Sequence, residues 1–418
     1  FFARFFVILT PAPIFTFPPN LFFDSLDRRT DMYQILTLNK ISPIGLEKFD
    51  RSKYTWADDT AAPDAVMVRS ASMHDMELPP SVLAIARAGA GVNNIPLDAC
   101  AQKGIVVFNT PGANANAVKE MVILGLLMAS RKVAPGMAWV QGLKGSGGLS
   151  KQVEKGKGAF TGPEIQGKKL GVVGLGAIGV KVANAASALG MTVYGYDPYL
   201  SVEAAWSMSA GIKRAASLGE IYENCDYITL HLPCNGETKG MVNASSIATM
   251  KQGVRLLNFA RGELVVTEDL LAAVESHKIA AYVTDFPAEE MLGNDAIVAF
   301  PHLGASTPES EDNCAVMAAQ ELSAYLETGN ITHSVNLPNI TLPRTPGMPR
   351  VCVIHLNVSG LINKLTSVIS EAGGNIENMI SGSRKEYAYT LFDLSGNLPA
   401  DLAERLEEVP DVIRSRVI

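Results

Sequence analysis

Cysteine and charge are both sparse in this 418-residue chain. The five cysteines (Cys100, Cys225, Cys234, Cys314, Cys352) include no C-x-x-C pair, and the six histidines form no H-E-x-x-H. Neither a disulfide framework nor a zinc site is written here, no metal is expected, and a reduced, cytoplasmic compartment is the simplest reading. Charged residues make up only 18%, with 35 basic against 42 acidic side chains and a net charge of −7. Without a cluster of Lys and Arg to neutralise phosphates, nucleic acid is excluded as the main partner. No uninterrupted apolar run reaches the ~18 residues of a bilayer-spanning helix, so no membrane partner is expected.

What is present is ample apolar material, 47% of the chain. At ~150 residues per domain the length suggests about three domains. Residues 1–31 are aromatic-rich and Pro-interrupted and are expected to lie outside the fold; Phe5 to Phe17 has the length of a targeting segment but is broken by Pro11 and Pro13. From Met32, which opens a strand, to about His302, short β-rich runs alternate with helical patterns, the signature of parallel sheets wrapped by helices. Two doubly wound, Rossmann-like α/β units fit, with strands expected at Ala65–Val68, Val82–Ala88, Ile105–Phe108, Leu170–Val173, Thr192–Tyr196, Tyr227–Leu230, Val254–Asn258, Ala280–Thr284 and Ala296–Phe300. The helical stretch Ala117 to Ser130 is apolar nearly all round, which predicts burial by its own domain on one side and by a second subunit on the other. Gly142 to Gly162, rich in Gly and Lys, reads as an exposed loop.

A long helix is expected from Pro308 to about Glu327, capped by Thr307, with Glu309, Glu311 and Asp312 facing the positive end of its dipole. Four prolines between Pro338 and Pro349 mark a linker. Beyond it the order βαββαβ predicts a ferredoxin-like domain. The expected division is 32–112 with 304–336 for substrate, 113–303 for a dinucleotide, 337–349 as linker and 350–418 as the small C-terminal domain.

Gly174-Leu-Gly176-Ala177-Ile178-Gly179 follows the strand Leu170–Val173 and opens a helix. The first glycine permits the tight turn, the second lets backbone amides approach a pyrophosphate, and the third allows close helix–strand packing. Asp197 closes the next strand, where its carboxylate accepts both ribose hydroxyls and repels a 2′-phosphate; no arginine follows, so NAD is favoured over NADP. Ligands in open α/β sheets bind beyond the carboxyl ends of the strands. Arg261, Glu289 and His302 stand at such ends. Histidine titrates near working pH and suits a base, a carboxylate beside it fixes its tautomer, and an arginine that cannot lose its proton clamps a substrate carboxylate and polarises a carbonyl. The three suit removal of a hydroxyl proton while a hydride leaves the same carbon.

Ala-Arg261-Gly-Glu, Pro-His302-Leu-Gly and the glycine fingerprint resemble the D-isomer-specific 2-hydroxyacid dehydrogenases, over about Met32 to Ile418. The resemblance implies that Arg261 binds substrate, that Glu289 pairs with the acid/base His302, with Glu290 as the alternative partner, and that NAD also meets His231, Pro233, Ala260 and Asp285. It implies a substrate site at Arg69, Ser70, Ala90, Gly91 and Asn114, with Arg69 the candidate for a phosphate. The C-terminal segment resembles an ACT domain, which binds amino acids between paired copies; His355, Asn357 and Asn375 match effector positions, with serine the implied effector, although Ser359-Gly360 stands where the motif has Pro-Gly. The implied activity is NAD-dependent oxidation of D-3-phosphoglycerate to 3-phosphohydroxypyruvate by a homodimer or homotetramer. Two alternatives share the scaffold: a dehydrogenase of glyoxylate, hydroxypyruvate or lactate type, and a non-catalytic NAD sensor resembling the family's corepressors.

Overall fold

The computed structural model describes residues 32–418, so the expected extension 1–31 lies outside the described residues. Strands β1 (Tyr33–Leu38), β2 (Tyr54–Ala57), β3 (Ala65–Val68), β4 (Ala84–Arg87) and β5 (Val106–Asn109) form a parallel sheet in the order β2-β1-β3-β4-β5. Every residue of β3 is buried, as a continuous apolar run covered on both faces requires. The short edge strand β2 was not expected, because four residues with one buried side chain carry little periodic signal.

Helix α1 (Ala115–Ser130) leads out of this sheet. Val118, Val122, Leu126 and Ala129 are buried, whereas Leu124 and Leu127 on the other side are 41% and 44% exposed, so within one chain only one flank of this apolar helix is covered. After a 69° bend comes α2 (Val133–Gly142); among the described residues no single helix is long and apolar enough to cross a membrane. The expected loop 142–162 in fact contains a helix, α3 (Leu149–Gly156), and a turn of 3-10 helix, Lys157–Phe160. Trp139 of α2 decides this: its ring packs on Phe160 at 5.2 Å and lies so close to Gly156 that a Cβ there would meet it at 2.4 Å. Glycine and lysine content concealed that contact.

The second sheet contains β6 (Lys169–Val173), β7 (Thr192–Tyr196), β8 (Lys213–Arg214), β9 (Tyr227–Leu230), β10 (Val254–Asn258), β11 (Ile279–Thr284) and β12 (Ile297–Ala299), all parallel, in the order β12-β11-β10-β9-β6-β7-β8. The order reverses between β6 and β9, and α4 (Ala177–Ala188) starts at that switch point. Helix α5 (Pro308–Thr328) then returns the chain to the first sheet. Thr307 Oγ1 accepts the Ser310 N–H, Pro308 takes the first position, and Gly329 at φ 71° ends the helix. Its face from Cys314 to Leu326 completes the first core.

The last unit has β13 (Arg350–Leu356), α6 (Leu361–Glu371), β14 (Gly374–Arg384), β15 (Tyr387–Gly396), α7 (Leu402–Glu407) and β16 (Val412–Val417), an antiparallel sheet in the order β14-β15-β13-β16. Alternation along the strands divides its side chains between two cores. Val351, Val353, Phe392 and Leu394 pack under α6 and α7, while Cys352, Ile354, Tyr389 and Leu391 join the core of the first unit. Full burial of each Leu- or Ile-sized side chain contributes about 1.5–3 kcal/mol. Arg350, fully buried, donates to both oxygens of Asp393 (2.6 and 3.0 Å) and to the carbonyls of Thr328, Leu342 and Pro343, while Arg416 donates to those of Tyr325 and Leu326. The Pro-rich stretch is no free tether either, since Leu337 and Ile340 are buried in the same core.

Candidate active site

Because both large sheets are parallel, each sends its strand ends to one rim. Arg69 follows β3, Arg87 ends β4, Asp197 follows β7, Arg261 lies beyond β10, Asp285 follows β11 and His302 lies beyond β12. Between the rims is a cavity of about 600 Å³ lined by Arg69, Ala90, Gly91, Asn114, Arg261 and His302, with Arg87 from β4 and Glu311 from α5 beside them. Ser70 stands outside this lining; its N–H donates to Asn39 Oδ1 at 3.1 Å.

Arg261 is fixed through its backbone: buried Asn258 donates from Nδ2 to the Arg261 carbonyl at 2.8 Å, and Arg261 Nη1 donates to the Ala260 carbonyl at 2.6 Å. Gly91 lies beside it, an added Cβ there falling 3.7 Å from Arg261 Nη2, an ordinary van der Waals distance. Arg87 was not anticipated, although it obeys the same strand-end rule. Its Nε donates to the Arg69 carbonyl at 3.0 Å, and its guanidinium passes where a side chain at Gly89 would otherwise stand. Burial, reinforced by the positive charges of Arg69 and Arg261, holds it below the usual arginine value. Three guanidinium groups thus share one cavity, which favours an anionic occupant.

His302 is exposed to the cavity, and its ring lies 4.7 Å from that of Phe286. The expected Glu289–His302 contact is not made. Glu289 and Glu290 are exposed on a turn of 3-10 helix, and among the described residues no hydrogen bond or ion pair joins either to His302, whose ring lies against Phe286 instead. Asp285 is a carboxyl close enough for the His302 charge to act on it. Burial raises its pKa, the nearby His302 and Arg261 draw it back, and its Oδ2 accepts the Gly304 N–H at 3.2 Å.

The dinucleotide loop can be tested on its glycines. A Cβ on Gly174 would lie 2.5 Å from the His231 carbonyl oxygen and one on Gly179 1.9 Å from that of Gly174, so both positions demand glycine; Gly176 faces open space. No side chain caps α4, which leaves its first amides for a pyrophosphate. Asp197 accepts the N–H groups of Leu175 and Tyr199, both at 2.8 Å, and borders a second cavity of about 410 Å³ with Gly176 and Ala177. Ile178, half-buried, packs with the core behind the loop. At the nicotinamide end, Asp285 Oδ1 is buried without a donor, as an acceptor for a carboxamide would be. The residues fit NAD. His231 is no charged ligand: burial pushes it down to about 3, and Nε2 meets Thr229 Oγ1 at 3.0 Å. The Pro233 carbonyl accepts from Thr238 Oγ1 at 2.6 Å.

In the C-terminal domain His355 is buried, meeting the Leu356 carbonyl at 2.8 Å and Thr390 Oγ1 at 2.9 Å, and exposed Asn357 donates to the Lys385 carbonyl at 3.4 Å. Asn375 does not join them. It pairs with Ser395 at one end of β15, whereas His355 pairs with Ala388 at the other, so one chain does not gather the three.

Residues 123–307 match the family model of the D-isomer specific 2-hydroxyacid dehydrogenase NAD binding domain. This chain belongs to the D-isomer-specific 2-hydroxyacid dehydrogenases, and it is an NAD-dependent oxidoreductase. Among its relatives is the D-3-phosphoglycerate dehydrogenase of Haemophilus influenzae, 32% identical over 357 residues that cover 82% of this chain and 83% of the relative. A solved NAD-bound 3-phosphoglycerate dehydrogenase of Entamoeba histolytica superposes with a TM-score of 0.55 at 26% identity, covering 73% of this chain and 99% of that one. A glyoxylate reductase from Paecilomyes thermophila superposes with a TM-score of 0.60 at 25% identity, covering 73% and 98%. Backbone likeness therefore does not separate the substrates, and the cavity must.

Proposed function

We propose that this chain oxidises D-3-phosphoglycerate to 3-phosphohydroxypyruvate with NAD, the first committed step of L-serine formation. The observation that carries the reading is the convergence of Arg69, Arg87 and Arg261 with His302 on one cavity. A substrate with a carboxylate at one end and a phosphate at the other needs guanidinium groups at both. Arg261 holds the carboxylate and the oxygen that becomes the carbonyl, with the backbone around Ala90 and Gly91 opposite it. Arg69 and Arg87 receive the phosphate. His302 takes the hydroxyl proton, and Asp285 stabilises the imidazolium through its field. Glu289 is assigned the orienting hydrogen bond, made once the ring turns from Phe286, with Glu290 next to it. NAD, held along Gly174–Gly179 and Asp197, supplies the hydride acceptor.

In this reading residues 32–112 with 304–336 bind substrate and 113–303 bind NAD, and closure of the two excludes water. Residues 337–349 join them to a regulatory domain, 350–418. Gathering His355, Asn357 and Asn375 requires two copies of that domain, which suits an effector such as serine held between subunits. The uncovered Leu124 and Leu127 of α1, continued by Met137 of α2 (64% exposed), suit a homodimer or a tetramer built from it. The five free cysteines fit a reduced, cytoplasmic setting. The test is NADH formation from a panel of D-2-hydroxyacids with and without serine. Preference for 3-phosphoglycerate supports the assignment, preference for D-glycerate or D-lactate replaces it with another dehydrogenase, and NAD binding without turnover makes the chain a sensor.

A further inference from the structure

The two arginines at the distal end of the cavity have different surroundings. Arg87 is repelled by both Arg69 and Arg261. Arg69 already has an anion: its Nη2 donates to Glu311 Oε1 at 2.6 Å, across 242 positions of sequence, and both residues line the cavity. Glu311 lies in the first turn of α5, where the helix amides favour negative charge. We infer that Glu311 is a built-in occupant of the distal anion subsite, a carboxylate that neutralises Arg69 until the substrate's phosphate displaces it, and that it thereby limits how strongly phosphorylated 2-hydroxyacids are preferred over unphosphorylated ones. The inference rests on the proposed function and names a specificity-determining residue for it.

A phosphate arriving at Arg69 and Arg87 breaks the Arg69–Glu311 pair and meets the Glu311 charge nearby. An acid held only by Arg261 and the Ala90–Gly91 backbone does neither. Glu311 thus weakens the hold on phosphorylated substrate and product alike and leaves the carboxylate end untouched. Both side chains are about two-fifths exposed, so the pair is of the strength a dianion can break.

The experiment compares the full chain with Glu311→Gln, Arg69→Ala and the double variant. Glu311→Gln should lower KM for 3-phosphoglycerate roughly three- to tenfold and tighten inorganic phosphate, measured by calorimetry, by a similar factor. Its kcat/KM for D-glycerate should move less than about twofold. In the Arg69→Ala background no pair is left to break and only the direct repulsion between Glu311 and phosphate remains, so Glu311→Gln should have a clearly smaller effect. An unchanged or raised KM for 3-phosphoglycerate would mean that Glu311 instead holds Arg69 in place, and an equal effect on D-glycerate, or an undiminished effect without Arg69, would equally overturn the inference. Failure of the unaltered chain to oxidise 3-phosphoglycerate would overturn the functional reading, while the phosphate measurement would still report on Glu311.

Discussion

An imidazole is a useful base only if its neighbours hold it and stabilise its charged form. His302 has Phe286 on one side, and its backbone is held by Asp285 through the Gly304 amide two residues on. This places the imidazole on the cavity wall, near a buried carboxyl whose pKa burial raises and the His302 charge draws back. His302→Asn keeps the size and removes the titrating group, so kcat should fall roughly 10²- to 10⁴-fold. NAD affinity, followed by fluorescence titration, should be nearly unchanged, because none of the residues around Gly176 and Asp197 is touched. Retained turnover would assign the proton to another base.

At the scale of elements, α5 has three tasks along its roughly 30 Å. Its first turn brings Glu311 to the cavity, its last turn is gripped by Arg350 and Arg416, and between them it buries Glu321. Glu321 Oε1 meets His333 Nδ1 at 2.8 Å, but Oε2 has no partner, and burial pushes the carboxyl from 4.5 to about 9. Between pH 4.5 and about 9 the folded chain keeps a proton that the unfolded chain has released, so this group makes stability fall as pH rises. Glu321→Gln lacks the titration. Its advantage in denaturant midpoint over the unaltered chain should therefore widen from pH 5 to pH 9, and a constant difference would refute the buried-acid account.

At the scale of the whole molecule, the C-terminal sheet is built into the core of the first sheet. One of its faces shares a core with α5, and Arg350 at the centre of the contact is satisfied by Asp393 and three carbonyls. Removing one partner of such a buried pair leaves an uncompensated charge. Asp393→Asn should cost about 3–5 kcal/mol in urea unfolding, and a loss below about 1 kcal/mol would mean that the domain is docked by its apolar face alone. Docking of this kind ties the C-terminal sheet to the same helix that carries Glu311.

Much of this was legible in the sequence. Thr192–Tyr196, Tyr227–Leu230 and Val254–Asn258 form as the alternation of apolar runs predicts, Thr307 caps its helix, and the βαββαβ order closes into the expected sheet. Those features depend on local periodicity and on backbone rules that act over a few residues, as does the placing of Arg261 and His302 at strand ends. Tertiary structure alone decided which side chains meet. The His302 ring lies against Phe286 and near Asp285, while Glu289 makes no contact with it in this conformation; Glu311 finds Arg69 because α5 crosses from one sheet to the other; Trp139 orders a helix that glycine content had hidden. Pairings of this kind depend on chain crossings hundreds of residues apart and on ångström differences in packing, and no local pattern records either.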